Sequence, residues 1–524
     1  MTTLFRNGRI FTAETERPFV EAIVVDGGEI VFSGSAEEAA SIAGADAEIV
    51  DLSGRMLMPG MHDAHTHLLF SGLKYLYETR LPAHAGPAQI VPAPQAHRPH
   101  VGGDPSSWHV GGEVFPPAIT GEPALTRTHL DEAYPDDPVY LYDYSIHHGV
   151  ANSRALELAG IEDGDEFGHG GVYVRDEHGR LTGELVEEAS WKVLRQIPDR
   201  PDDEYLDAVR WAVAMCHRFG ITSVQEASAS EQALRAYAAL DAADELDLHV
   251  AAHLVWRAEG FGMASGERLD ELLAHHSRWA SRYVDPGFVK IWIDGAPLPP
   301  HSTHSTLDAD GRVDESWLLV PQQELARVVS RFDAEGRSVK IHCAGDGAVR
   351  VCLDAIEQVR AANGPGVVHE VPHAGFVSDT DFPRFAALDV TAEMSPALWH
   401  VPEYGLGAAF HFQRMLDHGA RMTIGSDWII TPDPNLLPAR RGPTTQGPYP
   451  PSRQQAREGV PRVGAEAVGR AADRGTLSAG KRADLVILDR DLFGVDEDEI
   501  GGAQVVETFV GGKSVYRRGQ GTDA

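Results

Sequence analysis

Two kinds of hydrophobic pattern alternate along this chain, and their order predicts its architecture. Ala22-Ile23-Val24-Val25-Asp26 and Glu29-Ile30-Val31-Phe32-Ser33 are β-branched runs on either side of Gly27-Gly28, the signature of a hairpin with a two-residue turn. Ala483–Leu488, Val505–Val510, Gly511-Gly512 and Lys513–Tyr516 repeat that character near the other end. A few strands are marginal without a partner layer, so neither end stands alone. One small composite β-sandwich domain built from residues 1–57 and 470–524 is therefore predicted.

Between these ends, short apolar strands are each followed by a helix-like stretch such as Glu324–Ala334. The strands predicted are Arg55–Ala64, Ile221–Glu226, Leu248–Leu254, Phe288–Ile293, Ser338–Cys343, Val367–His373, Val390–Met394 and Met422–Asp427. Eight such units within 58–469 predict an α/β fold, a (β/α)8 TIM barrel. The gap after the first strand exceeds one helical crossover, so residues 75–200 must hold an insertion, with a hairpin of their own around Gly171–Gly179. An insertion after a barrel strand sits at the C-terminal face, where barrel active sites lie, and is a candidate substrate-binding lid.

Several of these strands end in residues that bind metals. His65 and His67 alternate by two, so both imidazoles point to the same side. Two converging neutral imidazoles suit zinc or a similar divalent ion. With 25 histidines in the chain, that pair alone is as readily a chance surface pair. His342 and His373 shift the balance, because each also closes an apolar strand. Asp427 ends the eighth strand, where a carboxylate can bind metal and relay a proton, or simply cap the next loop. Lys290 is one of only six lysines and lies inside Val289–Ile293. A buried ammonium needs a partner or a modification, and Glu226 and Asp294 are the predicted mates.

Charge narrows the partners. The net charge of −33 excludes nucleic acid and anionic membranes, which need a cationic footprint. Three cysteines are too few for a disulfide framework, and no apolar stretch reaches the ~18 residues of a membrane span. With no apolar leader at Met1–Arg6, a cytoplasmic protein acting on a small molecule is expected.

The ordered segments Leu57–His67, Pro138–Leu141, Ala151–Leu156, Gly170–Val172, Val289–Gly295, Ile341–Ala348, Gly425–Asp427 and Gly475–Leu485 together resemble the amidohydrolase superfamily, in its YtcJ-like amidohydrolase-3 branch. The resemblance implies one or two divalent metals, usually Zn2+. His65, His67 and Asp427 would hold the more buried ion, and His342 and His373 the more exposed one. Lys290 matches a lysine that many members carboxylate. It further implies hydrolysis of a C–N bond in an amide, N-acyl or formamide compound, with Asp427 as proton relay and His147 or His148 stabilising the oxyanion. Deamination or cyclic-amide opening would use the same metal set, and a metal-stabilised binding protein is the non-catalytic alternative. A homodimer is expected by analogy. The chain departs from the branch in a Pro/His-rich run before Trp108 and in the loop bearing His301 and His304. These residues, with Glu226, Trp292 and Trp399, are candidates for contacting an aromatic or bulky amide.

Overall fold

The apolar runs become parallel strands in the computed structural model, which describes residues 2–82, 85–93, 108–258, 263–395, 406, 409–437 and 459–520. The barrel strands are β1 (Met61–Thr66), β2 (Ile221–Ala229), β3 (His249–Val255), β4 (Val284–Trp292), β5 (Val339–His342), β6 (His369–Val371), β7 (Val390–Met394) and β8 (Arg421–Ile424). They pair in sequence order as one parallel sheet. The sheet closes where Asp427 N–H donates to His65 O at 2.8 Å and His67 N–H donates to Trp428 O at 3.2 Å. The molecule is a (β/α)8 barrel.

The predicted first strand is two strands. Met56–Pro59 belongs to the terminal sheet and pairs with Leu485–Leu488, whereas β1 belongs to the barrel. Gly60 makes the junction, and a Cβ there would lie 2.2 Å from Thr222 Oγ1. Only glycine lets the backbone bend this close to β2. The sixth strand is also shorter than predicted, because Pro372 supplies no ladder donor and His373 turns to φ 68°.

Both predicted Gly-Gly hairpins form, with Gly27, Gly28, Gly511 and Gly512 all at positive φ. Their strands join one eight-stranded sheet made from both ends of the chain. It curls until Ala483 N–H donates to Gly28 O at 2.9 Å and Ile30 N–H donates to Lys481 O at 2.8 Å. Phe5, Ile23, Leu57, Leu485 and Phe509 pack in the space this encloses.

After β1 and helix Leu68–Leu76, the chain builds a six-stranded sheet before returning through helix Asp202–Arg218 to β2. Its strands include Val139–Asp143, His148–Ala151, Gly171–Arg175 and Leu181–Glu187. Trp108, Tyr140, Tyr173 and Leu185 pack in a core of their own on this sheet. All three cysteines are free and buried, and among the described residues no helix is long and apolar enough to cross a membrane.

Candidate metal centre and active site

The barrel strands deliver four histidines and one aspartate to a common point. Nδ1 of His65 is hydrogen-bonded to Glu393 Oε2 at 2.5 Å, and Nδ1 of His67 to Ser228 Oγ at 2.6 Å. With Nδ1 occupied, each ring presents Nε2 toward Asp427 Oδ1, at 3.7 Å for His65 and 3.4 Å for His67. Nδ1 of His373 lies 4.0 Å from Asp427 Oδ2 and has no hydrogen-bond partner among the described residues. Ligand atoms of His65, His373 and Asp427 all fall within 4.8 Å of one another. The His342 ring packs against His373, centroids 4.6 Å apart.

Electrostatics favour the same use. Burial, reinforced by nearby cationic groups and other histidines, pushes His65, His342 and His373 well below the ordinary histidine range. Neutral imidazoles with a free lone pair are what a divalent metal ligates. Burial opposes ionisation of Asp427, but His65, His67 and Lys290 outweigh it and hold the carboxyl well below its usual range. An unpartnered buried nitrogen, two imidazoles oriented through their far nitrogens and an ionised carboxylate form a donor set that fits a divalent cation.

Lys290 lies beside this set with its Nζ 5.2 Å from the Trp292 ring centre, and among the described residues it makes no ion pair. Burial, then the charge of Lys340, drives its pKa down to about 7. The predicted mates are engaged elsewhere. The Glu226 carboxylate accepts from Leu68 N–H, Ser228 N–H and Tyr237 Oη at 2.9, 3.2 and 2.7 Å. It therefore stands behind His67 as a brace for the loop after β1, not at a substrate surface. Asp294 accepts from the N–H groups of Ala344, Gly345 and Ser305.

The insertion contributes His147. Its Nδ1 lies 2.9 Å from Glu187 Oε2, and its ring stands 5.7 Å from that of His342. His148 turns the other way, into the insertion, where its ring nitrogens meet no partner among the described residues and it abuts His301. His301 is bound to Glu184 at 2.7 Å, and His304 stacks on Phe376. Trp108 is buried in the insertion's core, whereas Trp292 faces the cavity next to His67. Trp399 lies outside the described residues.

Several residues of this site were not anticipated. Glu393 on β7 orients His65, and Lys340 on β5 sits beneath it, donating to Ala64 O at 2.7 Å and pairing with Glu370 at 3.3 Å. Both are charged residues inside apolar strands, the signal that singled out Lys290. Glu187 had no such signal, being the last residue of a strand in the insertion. Backbone strain collects here too: Ile146, Glu187, His373 and Asp427 all adopt positive φ. Such conformations are costly for side-chain-bearing residues and mark positions that surrounding structure holds in place.

Gly425 shows how tight the arrangement is. A Cβ there would lie 2.4 Å from His65 Cβ and 2.7 Å from His65 N. Gly425→Ala is expected to push β1 from β8, destabilising the fold by about 1–3 kcal/mol and lowering metal content. Urea unfolding and elemental analysis would check both; an unchanged midpoint with full metal would count against this packing.

Comparisons with known proteins agree in family and fold. The N-substituted formamide deformylase of Arthrobacter pascens is 27% identical, over 98% of each chain. The putative amidohydrolase YtcJ of Bacillus subtilis (strain 168) is 25% identical, over 99% of this chain and 100% of that one. Among solved structures, an uncharacterized metal-dependent hydrolase from Pyrococcus horikoshii OT3 superposes with a TM-score of 0.73 at 22% identity, covering 95% of this chain and 100% of that one. The model of the amidohydrolase family matches residues 48–516, and this chain belongs to that family.

Proposed function

We propose that this protein hydrolyses the C–N bond of a small amide, N-acyl or formamide-type compound. Zn2+ or another divalent ion would be held by His65, His67 and Asp427, and a second by His342, His373 and a carboxylated Lys290. The observation that carries this reading is the convergence of His65, His67 and His373 on one ionised carboxylate, Asp427. The deformylase relative, which acts on N-substituted formamides, supports the bond type.

A divalent ion in this set supplies Lewis acidity, easing ionisation of water and polarising the carbonyl. Asp427 takes the proton as water oxygen bonds to the carbonyl carbon. It then returns that proton to nitrogen as the C–N bond breaks, releasing an amine and a carboxylic acid. His147 faces the developing oxyanion. Burial disfavours its charged form, but Glu187 outweighs this and raises its pKa, which favours an imidazolium whose Nε2–H can donate. Lys290 has a reason to react with CO2: burial favours its neutral, nucleophilic amine, which attacks CO2 to give a carbamate and releases one proton, or two when counted from the buried ammonium.

Glu187→Gln is expected to lower kcat roughly 10²-fold with little change in KM, since it removes the partner that keeps His147 charged. Activity that needs the imidazolium is lost as pH rises through the His147 pKa, so the alkaline limb of the rate profile should move to lower pH in the variant. A profile that does not move would remove His147 from this role. For the function as a whole, purified protein should contain bound metal and turn over members of a panel of N-acyl, formyl and cyclic amides, with activity abolished by chelation. Less than one metal per chain with no chelator-sensitive turnover would reject the hydrolase reading. One added CO2 on the intact protein, absent in Lys290→Ala, would establish the carbamate.

A further inference from the structure

We propose that the substrate is an uncharged amide with an apolar limb on each side of the scissile bond, an inference that rests on the hydrolytic reading above. Two cavities flank the metal-ligating set and share one wall, His147. The first has His67, Glu187, Ser228 and Asp294 at its polar edge, with Phe70, Ile146, Trp191, Met263, Trp292 and Leu319 beyond. The second has His342, His373 and Asp427 at its edge, with Pro297, Leu298, Phe376, Leu406, Phe410 and Ile430 beyond. The empty space in them, including the part open to solvent, is about 600 and 480 Å3. A carbonyl placed between Asp427 and His147 has one cavity on its acyl side and the other on its nitrogen side.

What the described walls lack disfavours charge on either limb. Among the described residues neither cavity is lined by Lys or Arg. Arg200 lines a separate cavity that shares Phe70 and Ile146, and its guanidinium is bound to Glu204 at 3.0 Å. A substrate carboxylate would thus lose its hydration with no Lys or Arg among the described residues to replace it, and His147 is already paired with Glu187. A substrate ammonium fares no better. Glu187 is engaged by His147 and Thr303, and Asp294 by three backbone N–H groups. The same argument sets this protein apart from catalysts of N-acyl amino acids and dipeptides, whose substrates carry a carboxylate beside the scissile bond.

A matched series tests this with the metal-loaded enzyme. N-methylacetamide has neither limb, N-(2-phenylethyl)acetamide and N-methyl-3-phenylpropanamide have one each, and N-(2-phenylethyl)-3-phenylpropanamide has both. Each limb should raise kcat/KM roughly tenfold or more, as burying a side-chain-sized apolar group supplies. N-acetylphenylalanine, which adds only a carboxylate to the second compound, should fall below N-methylacetamide. Leu319→Trp and Leu298→Trp should each abolish the gain from one limb, and not the same one. Equal rates across the series, a preference for N-(2-phenylethyl)formamide over the two-limbed amide, or good turnover of N-acetylphenylalanine would overturn the proposal. Binding of 1,6-diphenylhexan-3-one, the non-hydrolysable ketone, read by tryptophan fluorescence, separates the two readings. Tight binding weakened by both variants, without amide turnover, leaves the substrate shape standing and rejects hydrolysis. Turnover of small amides without ketone binding does the reverse.

Discussion

Asp427→Asn is expected to lower kcat roughly 10³- to 10⁴-fold while leaving the fold intact. The carboxylate is asked to do three things: face the Nε2 atoms of His65 and His67, accept the proton of water and deliver it to nitrogen. An amide can fill the space and offer one oxygen, but it cannot take up a proton. The backbone does not confound the result, because Asp427 sits at φ 52° and asparagine tolerates that region as well as aspartate does. Rates should be measured at matched metal content. A fully metallated variant retaining more than about a tenth of wild-type kcat would show that the proton passes through another group.

Glu393→Ala should have the largest effect on stability, about 3–5 kcal/mol, measured as a shift in urea unfolding with chelator present. Glu393 is fully buried, accepts from Ser395 Oγ and His65 Nδ1, and lies 3.9 Å from Lys340 Nζ. Truncation leaves the Lys340 ammonium with Glu370 as its only remaining ion-pair partner among the described residues, and leaves the His65 ring free to rotate. Metal affinity should fall roughly 10- to 100-fold, the usual cost of removing a group that orients a ligating histidine. Glu393→Gln keeps a hydrogen-bond acceptor for His65 and should lose less of both. Equal unfolding midpoints and equal metal affinity in the two variants and wild type would refute the orienting role.

The barrel and its candidate metal ligands were legible because the chemistry sits at the ends of strands that are apolar enough to announce themselves. His342 and Asp427 needed only the counting of runs. What could not be read was anything that depends on which strands face each other across the barrel. Glu226 and Asp294 are near Lys290 in sequence logic, yet the closure of the barrel gives their oxygens to backbone amides. Glu393 lies 328 residues from His65, and no local pattern relates the two. The choice between His147 and His148 turned on strand parity, which the positive φ of Ile146 resets just before them. Trp108 illustrates the converse: a large aromatic next to a divergent segment suggested a pocket, and the insertion needed it for its own core.

The curled terminal sheet also dictates an order of assembly. Met56–Pro59 is joined to the ligand-bearing strand β1 by Gly60 alone, and its antiparallel neighbour is Leu485–Leu488, more than four hundred residues later. A nascent chain that has emerged only as far as Asp427 carries every proposed metal ligand but lacks the strand that anchors the near end of β1. Long-range pairing of this kind is slow and comes last. During synthesis, then, the candidate metal site would remain unfinished until Leu485–Leu488 leaves the ribosome, and a chain cut short before Leu485 would expose the unpaired edge of Met56–Pro59 as a site for aggregation.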